Sequence, residues 1–190
     1  MSELSGQSTI LTKTTKYQIS HDKALMGAIL TQVQDLEHAG YEFEAAEASF
    51  DLLVKKAAGL YTPWFDRLAY RVNIEAGEVG PVTEATVKLR VGGEPVHTVA
   101  ESTGPVGALD GALRLALDKT YPQLREMTLR DYKVRILDSN KGAGALTRVL
   151  IESGDGRSIW ATVGVSDNII DASWDALREA VEYKLMSSTG

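Results

Sequence analysis

Two five-residue segments hold the residues whose types and spacing could do chemistry: Ser102-Thr103-Gly104-Pro105-Val106 and Ser166-Asp167-Asn168-Ile169-Ile170. Each follows a run of alternating apolar and polar residues and precedes a run with helical spacing. Such a junction sets the first turn of a helix at the end of a strand. That turn presents backbone N–H groups without acceptors and the positive end of the helix dipole, which together attract a carboxylate. Each junction also carries an apolar pair, Pro105-Val106 or Ile169-Ile170. A carboxylate anchor beside a small apolar surface suits a branched apolar amino acid. Ser, Thr, Asp and Asn are also ordinary helix caps, so simple capping accounts for the same residues.

Other constellations offer less. The 190 residues include no cysteine, which excludes disulfides, thiolate metal sites and a Cys nucleophile. His21, His38 and His97 are far apart and form no HxH or HExxH pattern, so no metal site is expected in this chain. Ser5-Gly6 lacks the GxSxG frame of a nucleophile elbow. Gly142-Ala143-Gly144 lacks the Lys-Ser/Thr ending of a phosphate loop and lies between two strand patterns, so it reads as a turn. Glu42, Glu44 and Glu47 read as a solvated helix start that favours the dipole. His97 sits in a strand pattern with no partner at a fixed spacing for base catalysis. Trp160 and Trp174 read as core, and Tyr132 begins a strand close to the candidate loops. Lys and Arg total 20 against 26 Asp and Glu, a net charge of −6, which gives no footprint for nucleic acid or an anionic membrane. No apolar run reaches 18 residues and no charged-then-apolar leader follows Met1, so a cytoplasmic chain is expected.

The elements that must position the two junctions follow from hydrophobic period. Residues 1–19 are polar and read as a loop or arm. A helix starts near Ser20 or Asp22, with Leu25, Ile29, Val33 and Leu36 on one face, and stops at Gly40. A second helix spans about Phe43 to Ala58, with Phe43, Ala46, Phe50, Leu53 and Ala57 on its apolar face and an outer Asp51–Lys55 pair, and ends at Gly59. Past Pro63 the period changes to two. In Phe65–Glu75, Leu68, Tyr70, Val72 and Ile74 alternate with Arg67, Arg71 and Asn73. Val82–Val91 and Glu94–Ser102 follow as strands about a Gly92-Gly93 hairpin turn, then a helix carries Leu109, Leu113 and Leu117. The same order recurs: strands Asp131–Leu137, Ala145–Glu152 and Ser158–Val165, then a helix from Ile169 to about Leu185.

At a constant offset of 64, nine of the 26 positions from Gly92 to Leu117 are identical to their counterparts, including Thr98/Thr162, Val99/Val163, Ala108/Ala172 and Arg114/Arg178. With the matching element order this reads as an internal duplication of a βββα unit. The expected fold is α+β, with a helical linker hairpin over residues 1–62 and a duplicated βββα domain over 63–190. Its units span about 63–122 and 123–190 and are related by a pseudo-twofold axis. Pairing two such units buries more apolar surface than either alone.

Gly40-Tyr41-Glu42-Phe43-Glu44-Ala45-Ala46-Glu47-Ala48-Ser49-Phe50 resembles the linker segment of the (R)-citramalate synthase branch of the 2-isopropylmalate synthase/homocitrate synthase family. The stretches from Asp138 to Glu152 and from Trp160 to Trp174 resemble that branch's regulatory domain, and Glu3–Ser8 is similar to a loop that follows its catalytic barrel, with Gln7 where many members carry a basic residue. The resemblance covers nearly the whole chain. It implies a linker plus C-terminal allosteric domain that forms a homodimer and binds the pathway's end-product amino acid as feedback inhibitor, isoleucine for a citramalate synthase, with leucine as the alternative for a 2-isopropylmalate synthase. The catalytic TIM barrel, with its divalent metal, 2-oxo acid and acetyl-CoA, would lie upstream in the same parent chain, an acyltransferase, so this fragment is expected to be non-catalytic and without a cofactor of its own. The family's effector site lies between the βββα units. Carried onto this sequence it implies Gly104, Pro105, Val106, Tyr132, Ala143, Ala145, Asn168, Ile169 and Ile170, with Thr103 and Asp167 as caps or ammonium contacts. The family's linker also reaches the partner's active site, often through an aromatic residue, for which Tyr41 is the candidate here. A dimerisation scaffold without effector binding and an independent small enzyme are the other readings.

Overall fold

A computed structural model describes residues 22–77, 80–137, 142 and 144–188. The elements run α1 (Lys23–His38), α2 (Glu47–Ala57), β1 (Phe65–Gly77), β2 (Gly80–Val91), β3 (Glu94–Ser102), α3 (Pro105–Leu117), a 3₁₀ turn (Pro122–Glu126), β4 (Thr128–Ile136), β5 (Thr147–Gly154), β6 (Ile159–Ser166) and α4 (Ile169–Ser188). The strands form two three-stranded antiparallel sheets, ordered β1-β2-β3 and β4-β5-β6. The α+β class, the helical hairpin and the twice-run βββα order are as the sequence predicts. The chain divides into two compact units. One holds the described parts of Met1–Thr62, Asp131–Glu152 and Trp160–Ala180, and the other holds those of Pro63–Arg130, Ser153–Ile159 and Val181–Gly190.

In the first unit, Asp22 caps α1 by accepting the Leu25 N–H at 3.0 Å. Both hairpin helices end in the same motif. Gly40 N–H donates to Glu37 O and Tyr41 N–H to Leu36 O; Gly59 N–H donates to Lys56 O and Leu60 N–H to Lys55 O. Gly40 and Gly59 have φ of 104° and 68°, the left-handed conformation this ending requires. Helix α2 begins at Glu47, four residues later than the spacing predicts, because Phe43–Ala46 forms a turn that drives Phe43 into the core. The outer Asp51–Lys55 pair is also corrected: Asp51 is 1% exposed, since every residue from Ala48 to Val54 is buried.

What encloses the hairpin is the second repeat. Ile29, Val33, Phe43, Ala46, Phe50, Leu53 and Val54 share one buried cluster with Val163 of β6, and Leu150 and Val165 pack against it. The alternate residues of β6 face the other way. Trp160 Nε1 donates to Ala180 O at 3.1 Å, and Thr162 Oγ1 donates to Ala176 O at 2.7 Å. Sheet β4-β5-β6 thus carries α4 on one face and the hairpin on the other, and Trp160 and Trp174 are core, as expected.

In the second unit, Ala85, Val87, Leu89 and Val91 of β2 are buried against α3, and Thr98 Oγ1 donates to Ala112 O at 2.7 Å, the counterpart of the Thr162 bond. A β-bulge corrects the predicted alternation of β1. Arg67 pairs with Leu89 and Ala69 with Lys88, so Leu68 is the extra residue. Arg67 therefore joins Tyr70, Val72 and Ile74 on the face shared with Leu89, and its guanidinium lies 5.6 Å from the Tyr70 ring centre. Lys184, from the end of α4, is buried beside Asp155 (2.6 Å) and Glu126 (3.4 Å).

Candidate functional site

Gly104 sets the start of α3 from an extended conformation (φ −154°, ψ 164°) and supplies no side-chain cap. Pro105 at the first helical position has no N–H to offer. Ala108 N–H returns to Gly104 O at 3.1 Å, so the N–H groups of Val106 and Gly107 begin the helix without an intrahelical acceptor. Thr103 is exposed, while Gly104, Pro105 and Val106 are half-buried. Nothing lies within 4 Å of a Cβ built on Gly104, whereas one built on Gly107 would meet Ser102 Oγ at 2.6 Å, so Ser102 lies against this first turn.

The other junction is built differently. Ser166 Oγ accepts the Asn168 N–H at 3.1 Å, and Asn168 Oδ1 accepts the Ile170 N–H at 2.9 Å. The Asp167 carboxylate lies 3.4 Å from Ser166 Oγ. Here the side chains cap their own helix, the plain role that Ser and Asn play elsewhere. Asp167, Asn168 and Ile169 are exposed and Ile170 is half-buried. Ser173, which is buried, donates to Ile169 O at 2.6 Å and lies 3.2 Å from Tyr132 Oη, so the tyrosine O–H is left to donate to Ser173 Oγ. Tyr132 is thereby brought to the first turn of α4. Ala145 is buried, with its N–H on Gly142 O at 3.1 Å. Ala143 and residues 138–141 lie outside the described residues, as does the Glu3–Ser8 loop. Thr103–Val106 belongs to one compact unit, whereas Tyr132, Ala145 and Asp167–Ile170 belong to the other.

Tyr41 stacks on Phe43 with ring centres 5.8 Å apart and is half-buried. Burial pushes its hydroxyl pKa up, with help from the Asp175 and Glu179 carboxylates, while Arg178 and a backbone hydrogen bond at Val165 oppose the rise. It stays a neutral phenol that faces β6 and α4. Glu42 pairs with Arg148, while Glu44 and Glu47 are exposed. A cavity of about 560 Å³ opens between Glu37, Tyr41, Glu42 and Glu44 on the hairpin and Arg135, Leu137 and Arg148 on the second repeat. His97 is exposed on the outer face of the first sheet, opposite Lys88. Among the described residues, no group of three His, Asp or Glu side chains could hold a metal ion.

Sequence reasoning did not single out Ser173 or Arg148. Arg148 carries a legible signal, as the one cation in the otherwise apolar or neutral run Thr147–Ile151. Its Nε donates to Gly40 O at 2.6 Å and its guanidinium pairs with Glu42.

The two strand-to-helix junctions of the repeated βββα order thus differ: the start of α3 has no side-chain cap, and the start of α4 is capped by its own residues. Residues 44–185 match the family described as the LeuA allosteric (dimerisation) domain. The chain belongs to that family. This LeuA allosteric (dimerisation) domain is similar to the (R)-citramalate synthase of Geobacter sulfurreducens, 49% identical over 192 residues that cover 99% of this chain and 36% of that protein. It is 47% identical over 190 residues to the (R)-citramalate synthase of Aquifex aeolicus, covering 98% of this chain and 36% of that protein. It is 45% identical over 192 residues to that of Synechocystis, covering 97% and 35%. The chain therefore spans about a third of the length of the curated relatives it matches. No helix among the described residues is long and apolar enough to cross a membrane.

Proposed function

We propose that this LeuA allosteric (dimerisation) domain is the feedback-regulatory and dimerising part of a citramalate synthase, with isoleucine as its effector. The parent would condense acetyl-CoA with pyruvate on an upstream catalytic barrel, which would also hold the divalent metal. The likeness to three (R)-citramalate synthases supports this reading of the parent. The observation that carries the ligand half is the first turn of α3, where Gly104 supplies no side-chain cap and Gly104-Pro105-Val106 sets two N–H groups without intrahelical acceptors beside an apolar surface. Thr103–Val106 would receive the effector's carboxylate and branched side chain. Tyr132, Ala145 and Asp167–Ile170 are the corresponding candidates of the second repeat. Tyr41 must leave Val165 if it is to serve a partner's active site. Effector binding would inhibit by favouring one of two arrangements, which requires different affinities for the two.

The self-capped start of α4 favours a second reading, in which the junctions are structural and the domain is a dimerisation scaffold. A thermal-shift series separates the two. Isoleucine at about ten times its Kd should stabilise the dimer by about 1.4 kcal/mol, a rise in Tm of about 3–6 °C for a domain of this size. Leucine differs by the placement of one methyl group, worth about 1–3 kcal/mol in a fitted pocket. A larger response to leucine would reassign the parent to a 2-isopropylmalate synthase. No response to millimolar isoleucine, leucine or valine leaves the scaffold.

A further inference from the structure

The hairpin had two similar sheets to settle on. Each sheet has one face covered by its own helix, and the offset of 64 extends to Thr83/Thr147 at the start of the middle strand. On the second sheet, Arg148, Leu150, Val163 and Val165 meet the hairpin. Glu84, Thr86, Val99 and Glu101 hold the same positions on the first. Val163 is 1% exposed, whereas Val99 is 47% exposed. The hairpin segment that lands on the sheet is acidic, with Glu42, Glu44 and Glu47. Arginine at the landing point satisfies Gly40 O and the Glu42 carboxylate together. Glutamate there would meet an acceptor and a like charge, the kind of repulsive element by which proteins reject a wrong partner.

We propose that Arg148 selects the second repeat as the seat of the hairpin and carries that repeat's response to a ligand into the hairpin. It is a positioning residue. The second half rests on the effector reading above; the first half stands without it. The route is short. Strand β6 leads directly into the Ser166–Ile170 junction, and its Val163 N–H donates to Ser49 Oγ of α2 at 3.0 Å. Gly40 has no side chain, and one built there would come within 2.6 Å of Leu137 Cδ1 and 3.3 Å of Val165 Cγ1, so the hairpin backbone rests directly on β6 and on the residue that follows β4. A shift at the junction is thus passed to α2 through Ser49 and to the Gly40–Glu42 segment through Arg148.

Amide exchange on the 190-residue chain tests both halves. Arg148→Glu should speed exchange across α1 and α2 by about tenfold or more while the amides of β2 and α3 change by less than about twofold. The charge swap Glu42→Arg/Arg148→Glu should recover most of that protection. Should Arg148→Glu alone fail to fold, a folded charge swap still supports selection by charge. Hairpin exchange that does not change in Arg148→Glu, or a swap no better than the single variant, overturns it. In the ligand arm, isoleucine should slow hairpin exchange in the unmodified chain and fail to do so in Arg148→Met, although that variant binds it within about threefold of the same Kd. Slowing that persists in Arg148→Met overturns the coupling. An unmodified chain that binds no isoleucine removes the effector reading and with it the coupling half, and leaves the selection half to the charge swap.

Discussion

Gly164→Ala is expected to lower the melting temperature by about 6–12 °C, from a loss of about 3 kcal/mol in a domain of this size. A methyl group on Gly164 of β6 would sit 2.0 Å from the Ala172 carbonyl oxygen, 2.9 Å from its carbon and 3.1 Å from Ala176 N. All three are backbone atoms of α4, so no rotamer change relieves the clash and the helix must lift off its sheet. The first repeat solves the same crossing in reverse. Ala100 occupies the strand position, and the room is made on the helix, where a methyl on Gly111 would lie 3.1 Å from Ala100 Cβ. Gly104→Ala is the control, since nothing lies within 4 Å of that position, and should cost less than about 0.5 kcal/mol. Thermal melts followed by circular dichroism decide the matter, and a Gly164→Ala Tm within 2 °C of the unmodified chain would refute the packing described.

Asp155→Ala should cost about 3 kcal/mol at neutral pH, because it leaves Lys184 buried without its closest partner. Lys184 is 6% exposed at its side chain, and its Nζ lies 2.6 Å from Asp155 Oδ2. The other carboxylate oxygen accepts the N–H groups of Arg157 (2.9 Å) and Ser158 (2.8 Å), which shapes the turn between β5 and β6. The lysine, and then the Ser158 N–H, hold the Asp155 carboxyl far below the usual carboxylate range. The sign follows from linkage. A folded pKa below the unfolded one gives stability that is complete above the unfolded value, about 3.9, and is lost as pH falls from there through the folded value. Urea melts at pH 7 and pH 3 should therefore show a smaller acid loss in Asp155→Ala than in the unmodified chain. A double variant with Lys184→Met should recover part of the neutral-pH loss, because no buried charge is then left alone. An equal acid loss in both chains would remove Asp155 from this role.

Local chemistry made much of the fold legible. Gly40 and Gly59 announced the helix ends because only a residue at ease with positive φ closes that motif. Thr98 and Thr162 marked equivalent strand positions, and both reach a helix carbonyl in the same way. What escaped depends on distant chain segments. Period alone placed Asp51 outward, whereas every residue from Ala48 to Val54 is buried, which a helical period with one wet face does not anticipate. The extra residue at Leu68 is set by pairing with β2, and one unpaired residue moves Arg67 to the opposite face. At the candidate site, composition marked both junctions alike. Whether a cap is in use depends on side-chain geometry, and this separates the bare Gly104 from the occupied Asn168.

The two sheets differ in what they would do if uncovered. A chain begun at Pro63 would leave Leu150, Val163 and Val165 without the aromatic and aliphatic residues now laid over them, an oily patch of the kind that drives self-association. The corresponding surface of the first sheet sets Glu84, Thr86 and Glu101 around Val99 and is the more polar of the two. The amino-terminal helices thus act as a built-in solubiliser for one copy of the repeated motif.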